Sequence, residues 1–228
     1  MKILAVETST DACSAALWID GECREEFALA PREHTQLILP KIDRLMLKAD
    51  LRPQQLNAVA LSRGPGSFTG VRIAGAVVQG IAFGADLPVA PVSTLAAIAQ
   101  DHFNRQADSL IAFTAMDARM DEIFWACYAR SELGLAELIG IESVTPASTV
   151  GFPQQAGFGV GSGWGVYEAE LSQQLKPYLQ GIEVQVWPRA ACIAQLGAML
   201  VANGETVPVE QAMPVYLRDK VAKKQSER

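Results

Sequence analysis

Five acidic side chains fall in two short polar turns, Glu7 and Asp11 within ETSTD, and Asp117, Asp121 and Glu122 within MDARMDE. A carboxylate in such a turn can hold a phosphate-bound magnesium or act as a general base, and acids also occupy exposed turns with no chemical role. Residues 62 to 75, SRGPGSFTGVRIAG, set Gly64, Pro65, Gly66 and Gly70 between an apolar strand-like run and an apolar helix-like one. Free amides and the helix dipole at such a point suit an anion, which makes Ser9, Thr10, Gly66, Ser67 and Thr69 candidate anion or nucleotide contacts, with Arg72 nearby. The loop is not a P-loop, because Val71 and Arg72 follow Gly70 where Lys and Ser/Thr are required. Nor is it a dinucleotide fingerprint, since the third glycine arrives one residue late. The competing reading is structural: Gly64-Pro65-Gly66 makes a turn, Ser67 or Thr69 caps the helix, and Gly70 and Gly75 admit close packing.

Other chemistries find less support. His34 and His102 are the only histidines, they form no H-x-x-x-H pair, and the four cysteines lack C-x-x-C spacing, so the pattern supplies no metal ligands and no disulfide framework. Ser9, Ser14 and Ser67 lack a G-x-S-x-G context. No residue is assigned a catalytic or metal-binding role.

The elements that would position these groups follow from local pattern. Residues 3 to 6 read as a strand, the polar cluster from Glu7 as a turn, and Cys13 to Ile19 as a second strand, with Asp20-Gly21 turning into a third. Thr35 is the expected cap of a helix carrying Ile38, Ile42, Leu45, Met46 and Ala49 at helical spacing. Ala58 to Leu61 reads as a buried strand. The helix from 71 to 85 is apolar on two sides: Val71, Ala74, Gly75, Val78 and Ile81 form one stripe, and Ile73, Ala76, Val77, Gly80 and Phe83 another. Such a helix needs two covers, one from its own sheet and one from a second helix or a partner. Ser93 is placed to cap a helix from Thr94 to about Phe103. LIAFTAMDARMDEIFW then repeats the strand, turn, strand outline of ILAVETSTDACSAALW, which suggests an internal duplication. Further helices are expected from Val166 to Leu179 and from Ala190 to Ala202, with a strand from Ile182 to Val186 between them.

The formal net charge of −6 argues against a broad basic surface for nucleic acid, although the tail from Arg218 carries five Lys/Arg against two acids. Only four apolar residues separate Lys2 from Glu7, too few for a signal-peptide core, and the 71 to 85 stretch is short for a membrane span. A cytoplasmic protein that uses no membrane is the expectation.

Two halves that each open on a strand-turn-strand suggest an α/β, duplicated ribonuclease-H-like fold of the actin, sugar kinase and heat-shock protein superfamily, with two mixed sheets flanked by helices. The sharper resemblance is to the bacterial TsaB (YeaZ) family. It rests on ILAVETST at 3 to 10, HTQLILPKID at 34 to 43, SRGPGSFTGVRIAG from 62, VSTLAA from 92, MDARMDEIFWA from 116 and AMPVYLRDKVA from 212, which together run over essentially the whole chain.

What this resemblance implies is a role in making the threonylcarbamoyl modification of adenosine 37 in tRNAs that read codons beginning with A. The family's larger paralogue TsaD carries ATP and metal, so no cofactor of this chain's own is expected. The paralogue's H-x-x-x-H metal pair aligns with Thr94 and Ile98, which cannot replace two histidine ligands. The resemblance further implies a non-catalytic subunit that pairs with TsaD, with TsaE joining, that forms a homodimer when TsaD is absent, and that meets tRNA through the complex. It places the partner interface on helices of a half spanning 1–104, with Leu39, Ile42, Met46, Arg72, Ile73, Ala76, Val77, Gly80 and Phe83 as its residues. A half spanning 105–228 carries the basic tail. The superfamily outline keeps an alternative open, an ATP-binding phosphotransferase or ATPase, and an old family association with glycoproteases adds a peptidase as a third.

Overall fold

A computed structural model describes residues 1–218, so most of the basic tail lies outside the described residues. Among the described residues ten strands form two five-stranded mixed sheets, and six α-helices pack on and between them. In the first, β1 (Lys2–Glu7) pairs antiparallel with β2 (Ala12–Ile19), which pairs antiparallel with β3 (Glu22–Leu29). On its other side β1 runs parallel to β4 (Ala58–Ser62), and β4 to β5 (Val89–Val92). The second sheet repeats this plan with β6 (Ile111–Arg119), β7 (Glu122–Arg130), β8 (Ala136–Thr145), β9 (Gly157–Val160) and β10 (Leu179–Glu183). The orders β3-β2-β1-β4-β5 and β8-β7-β6-β9-β10 correspond strand for strand, so the repeated hairpin in the sequence marks a duplicated half.

The first half carries α1 (His34–Lys48) before β4 and α2 (Phe68–Ala85) before β5. The second has only a short 3-10 turn, Ala147–Thr149, where α1 would recur, and breaks the counterpart of α2 into α4 (Ser162–Val166) and α5 (Glu168–Leu175). The expected helix over 166 to 179 therefore divides at Tyr167 and ends early, because Leu179 opens β10. The strand expected at 182 to 186 begins and ends three residues sooner. β8 has no strand signature in its sequence: Gly140 lies at a positive φ, and the register shifts opposite Trp125 and Cys127.

α3 (Thr94–Arg105) and α6 (Ala190–Ala202) lie between the sheets. Their Leu95, Ile98, Ile193 and Ala194 share one core with Ala5, Ala16, Ala60 and Ala90 of the first sheet and Ala112, Ala126 and Val160 of the second. Alanines on both facing sheets let the helices sit close, and a Cβ on Gly197 would come within 2.9 Å of the Ala60 methyl. The two halves exchange helices: α3, from the first half, packs on the second sheet, while α6 and the segment after it pack on the first. Each middle helix covers an apolar sheet face that its own half leaves bare.

α1 and α2 cover the outer face of the first sheet through Ile38, Ile42, Leu45, Met46, Ala74 and Val78. α1 starts at His34 rather than after Thr35, and Glu33, at the N-cap position, makes no side-chain cap. The His34 ring takes over as the anchor, with Nε2 2.8 Å from the Thr10 carbonyl. At 18 residues α2 is longer than the 71 to 85 stretch and is long and apolar enough to cross a membrane by length and composition alone, and one stripe of it packs into the core against the first sheet.

Candidate functional site

The turn after β1 and the turn between β6 and β7 face each other across a cleft of about 580 Å³ between the halves. Ser9, Thr10 and Asp11 line one side, Asp117, Ala118 and Arg119 the other, and Gly66, Ser67, Phe68, Ile98 and Ser162 also reach it. The structure thus gathers Ser9, Thr10, Gly66 and Ser67 as the sequence suggests, while Thr69 is exposed and not part of the lining.

At this loop the chain takes up part of the hydrogen-bonding capacity that an anion would use. The Ser67 amide donates to the Ser9 carbonyl at 2.7 Å, the Val71 amide donates to the Ser67 carbonyl at 2.9 Å, and the Ser67 hydroxyl accepts from the Gly70 amide at 3.4 Å. A Cβ on Gly66 would stand 2.5 Å from the Ser9 carbonyl oxygen, and one on Gly70 would stand 2.1 Å from that of Thr8. The glycines let backbone meet backbone where a phosphate would need room, which favours the structural reading of the loop. Ser67 is the helix cap, and Ser93 caps α3 through the Leu95 and Ala96 amides.

Behind the turn lies a buried polar cluster. Glu7 Oε1 accepts from both the amide and the hydroxyl of Ser9, the latter at 2.6 Å, and Thr94 Oγ1 donates to Ser9 Oγ at 3.2 Å. Glu7 Oε2 and Ser62 Oγ are buried with no hydrogen-bond partner. Burial pushes the Glu7 carboxyl up to about 7, outweighing the Ser9 hydrogen bonds that lower it. Thr94 is fully buried and Ile98 presents an apolar side chain to the cleft. Among the described residues no three His, Cys, Asp or Glu side chains cluster as a metal site.

Ser109, His102 and Glu183 form a trio that no sequence motif announces: His102 Nε2 lies 2.8 Å from Ser109 Oγ, and Nδ1 lies 3.1 Å from Glu183 Oε2. The order is that of a nucleophile, base and acid. Ser109 is only 4% exposed and none of the three borders the cleft, so the trio ties α3 to β10 and offers no substrate access.

On the outside of the first half, α2 divides as its two stripes require. Val71, Ala74, Gly75, Val78 and Ala82 are buried. Arg72, Ala76, Gly80 and Phe83 are exposed, Phe83 by 77%, and Ile73 and Val77 are half-buried at the border. Leu39 on α1 is also exposed. Ile42 and Met46, expected at a partner interface, instead point into the core against the sheet; their spacing with Ile38 and Leu45 is the buried stripe of α1.

The segment after α6 straps this half to the other. Val207 exchanges backbone hydrogen bonds with Val89, Gln79 Nε2 donates to the Ala212 carbonyl at 3.0 Å, and the Val215 amide donates to the Arg63 carbonyl at 2.7 Å. Arg218 then reaches the second hairpin turn, donating to the Ala118 and Arg119 carbonyls and pairing with Glu122.

The chain is 41% identical over 226 residues to the tRNA threonylcarbamoyladenosine biosynthesis protein TsaB of Escherichia coli K12, covering 97% of this chain and 96% of that protein. The chain belongs to the TsaB family. The TsaB protein of Haemophilus influenzae is 38% identical, with 97% and 95% of the two chains covered. The structure described as YeaZ from Pseudomonas aeruginosa aligns with a TM-score of 0.88 at 40% identity, over 95% of this chain and 99% of that one. The family model for TsaD, tRNA N6-adenosine threonylcarbamoyltransferase, matches residues 28–176. That range takes in α1 and α2 as well as most of the second sheet. TsaB membership sets the chain in tRNA threonylcarbamoyladenosine biosynthesis and in the actin-like fold.

Proposed function

We propose that this TsaB-family chain is a non-catalytic scaffold and activator subunit, which pairs with its TsaD paralogue for threonylcarbamoyl transfer to adenosine 37 of tRNA. The observation that carries the reading is the exposed stripe of α2. Ile73, Ala76, Val77, Gly80 and Phe83 present apolar and small side chains beside Leu39, a surface that a second helix pair can approach closely and cover. Because the TsaD family model spans α1 and α2, the paralogue carries counterparts of these helices, and two like faces can close into one helical bundle. In the same reading TsaE joins the pair, a homodimer forms through this face when TsaD is absent, tRNA is met through the complex, and the protein works in the cytoplasm. ATP and metal belong to TsaD. The close backbone packing at Gly66 and Gly70, and Thr94 and Ile98 in place of a histidine pair, support a subunit without its own transfer chemistry.

Gly80→Arg is the direct test, since a Cβ at Gly80 meets nothing within 4 Å and the variant should fold. It is expected to abolish co-purification with TsaD; unchanged pairing would refute the interface. The cleft keeps an ATP-binding phosphotransferase or ATPase as the second reading, and calorimetry of the isolated chain with Mg-ATP separates the two. Tight binding would favour the enzyme.

A further inference from the structure

Arg72 is held in an unusual way at the N-terminal end of the α2 stripe. Its guanidinium carbon lies 3.4 Å from the centroid of the Phe68 ring, and its Nε donates to the Tyr216 hydroxyl at 3.0 Å. The Phe68 and Tyr216 rings lie 6.0 Å apart around it. Stacking on an aromatic face and a hydrogen bond at Nε fix the plane of a guanidinium while leaving its two terminal nitrogens to bond elsewhere. Among the described residues no acid pairs with Arg72, although the other side chains around it belong to an exposed surface.

Tyr216 comes from the C-terminal strap, and the strap is itself fixed on both sides of it. The Val215 amide is bonded to Arg63, Gln79 holds Ala212, and Arg218 grips the second hairpin turn. Arg72 is therefore presented at little further entropic cost. Phe68 and Tyr216 against it are exposed, as is Met213 of the strap beside Gln79, so exposed apolar groups run along the same helix as Ala76, Gly80 and Phe83.

We propose that Arg72, clamped by Phe68 and Tyr216, is a receptor for a carboxylate side chain of the TsaD paralogue, so that the strap forms part of the docking surface. The proposal rests on the pairing reading given above and extends its surface from one helix to helix plus strap. A planar guanidinium with both terminal nitrogens available matches a carboxylate in bidentate fashion. The surrounding apolar rim suits a protein surface better than the phosphate backbone of RNA, which this chain of net charge −6 would repel at long range.

The test measures the affinity of the full-length chain for its TsaD paralogue at several salt concentrations, with folding of each variant checked by thermal melting. Arg72→Glu is expected to weaken pairing by about 30-fold, and Arg72→Gln by about 10-fold with a flatter salt dependence. Tyr216→Phe, which removes only the hydroxyl that orients Nε, is expected to weaken it about 3-fold. Affinities within 2-fold of the parent for Arg72→Glu and Tyr216→Phe, while Gly80→Arg still abolishes pairing, would overturn this proposal and leave the pairing reading standing. Unchanged pairing by Gly80→Arg as well would bring down both. Loss of tRNA binding by isolated Arg72→Glu, with TsaD pairing intact, would overturn it in favour of a phosphate site.

Discussion

The Thr8 hydroxyl donates to the Gly70 carbonyl at 2.7 Å, across 62 residues of sequence. This contact presses the start of α2 against the first hairpin turn, and it explains why the glycine-rich loop holds backbone where an anion was one expectation.

Gly70→Ala should therefore be costly. The added methyl would meet a backbone oxygen at 2.1 Å, which cannot rotate away, so a loss of about 3 kcal/mol or more is expected in urea unfolding. Gly84→Ala, on the same helix with nothing within 4 Å, should instead stabilise by about 0.5–1 kcal/mol.

Glu7 is protonated more readily in the fold than in the unfolded chain, where its value is near 4.5 against about 7 here. The native state thus binds the extra proton between those values, and stability falls as pH rises from about 4.5 through 7. A shift of that size corresponds to about 3 kcal/mol. Glu7→Gln keeps an acceptor for Ser9 and gains an amide donor beside Ser62. Its melting temperature should exceed the parent's at pH 8 and match it near pH 4.5.

His102 works in the opposite sense. Burial lowers its pKa despite the Glu183 carboxylate, so the unfolded chain takes up the proton first and stability falls as pH drops below about 6.5. The two groups partly offset each other near pH 6. His102→Gln should remove the acid-side loss, leaving a stability curve that rises more steeply toward low pH than that of the parent.

Arg63 Nη2 lies 3.1 Å from Glu142 Oε2, and Glu142 Oε1 accepts from Tyr128 at 2.7 Å, joining the loop after β4 to β8 in the other half. Arg63→Met leaves a mostly buried carboxylate short of its partner and should cost about 2 kcal/mol. Arg63→Met with Glu142→Gln should recover part of that loss in a double-mutant cycle.

Much of the architecture was legible locally. Asp20-Gly21, the Ser67 and Ser93 caps, the apolar period of α6 and the repeated hairpin each act over a few residues, and each stands where the pattern puts it. β8 escaped because it is an edge strand carrying Glu137, Gly140 and Glu142, with register shifts in place of clean alternation. Of the residues expected at a partner interface, Leu39, Arg72, Ala76, Gly80 and Phe83 face outward, whereas Ile42 and Met46 do not, because helical spacing marks an apolar stripe without saying what covers it.

The sequence by itself determined the two hairpin-led halves, the doubly apolar α2 and the absence of a P-loop, since these depend on residue types at short spacing. Only the tertiary structure decided that Gly66 and Gly70 lie against the Ser9 and Thr8 carbonyls, that α3 and α6 cross to the opposite sheets, that Glu7 lies fully buried, and which stripe of α2 stays uncovered. Those outcomes come from contacts between segments tens of residues apart, where burial and steric exclusion, rather than local propensity, set the result.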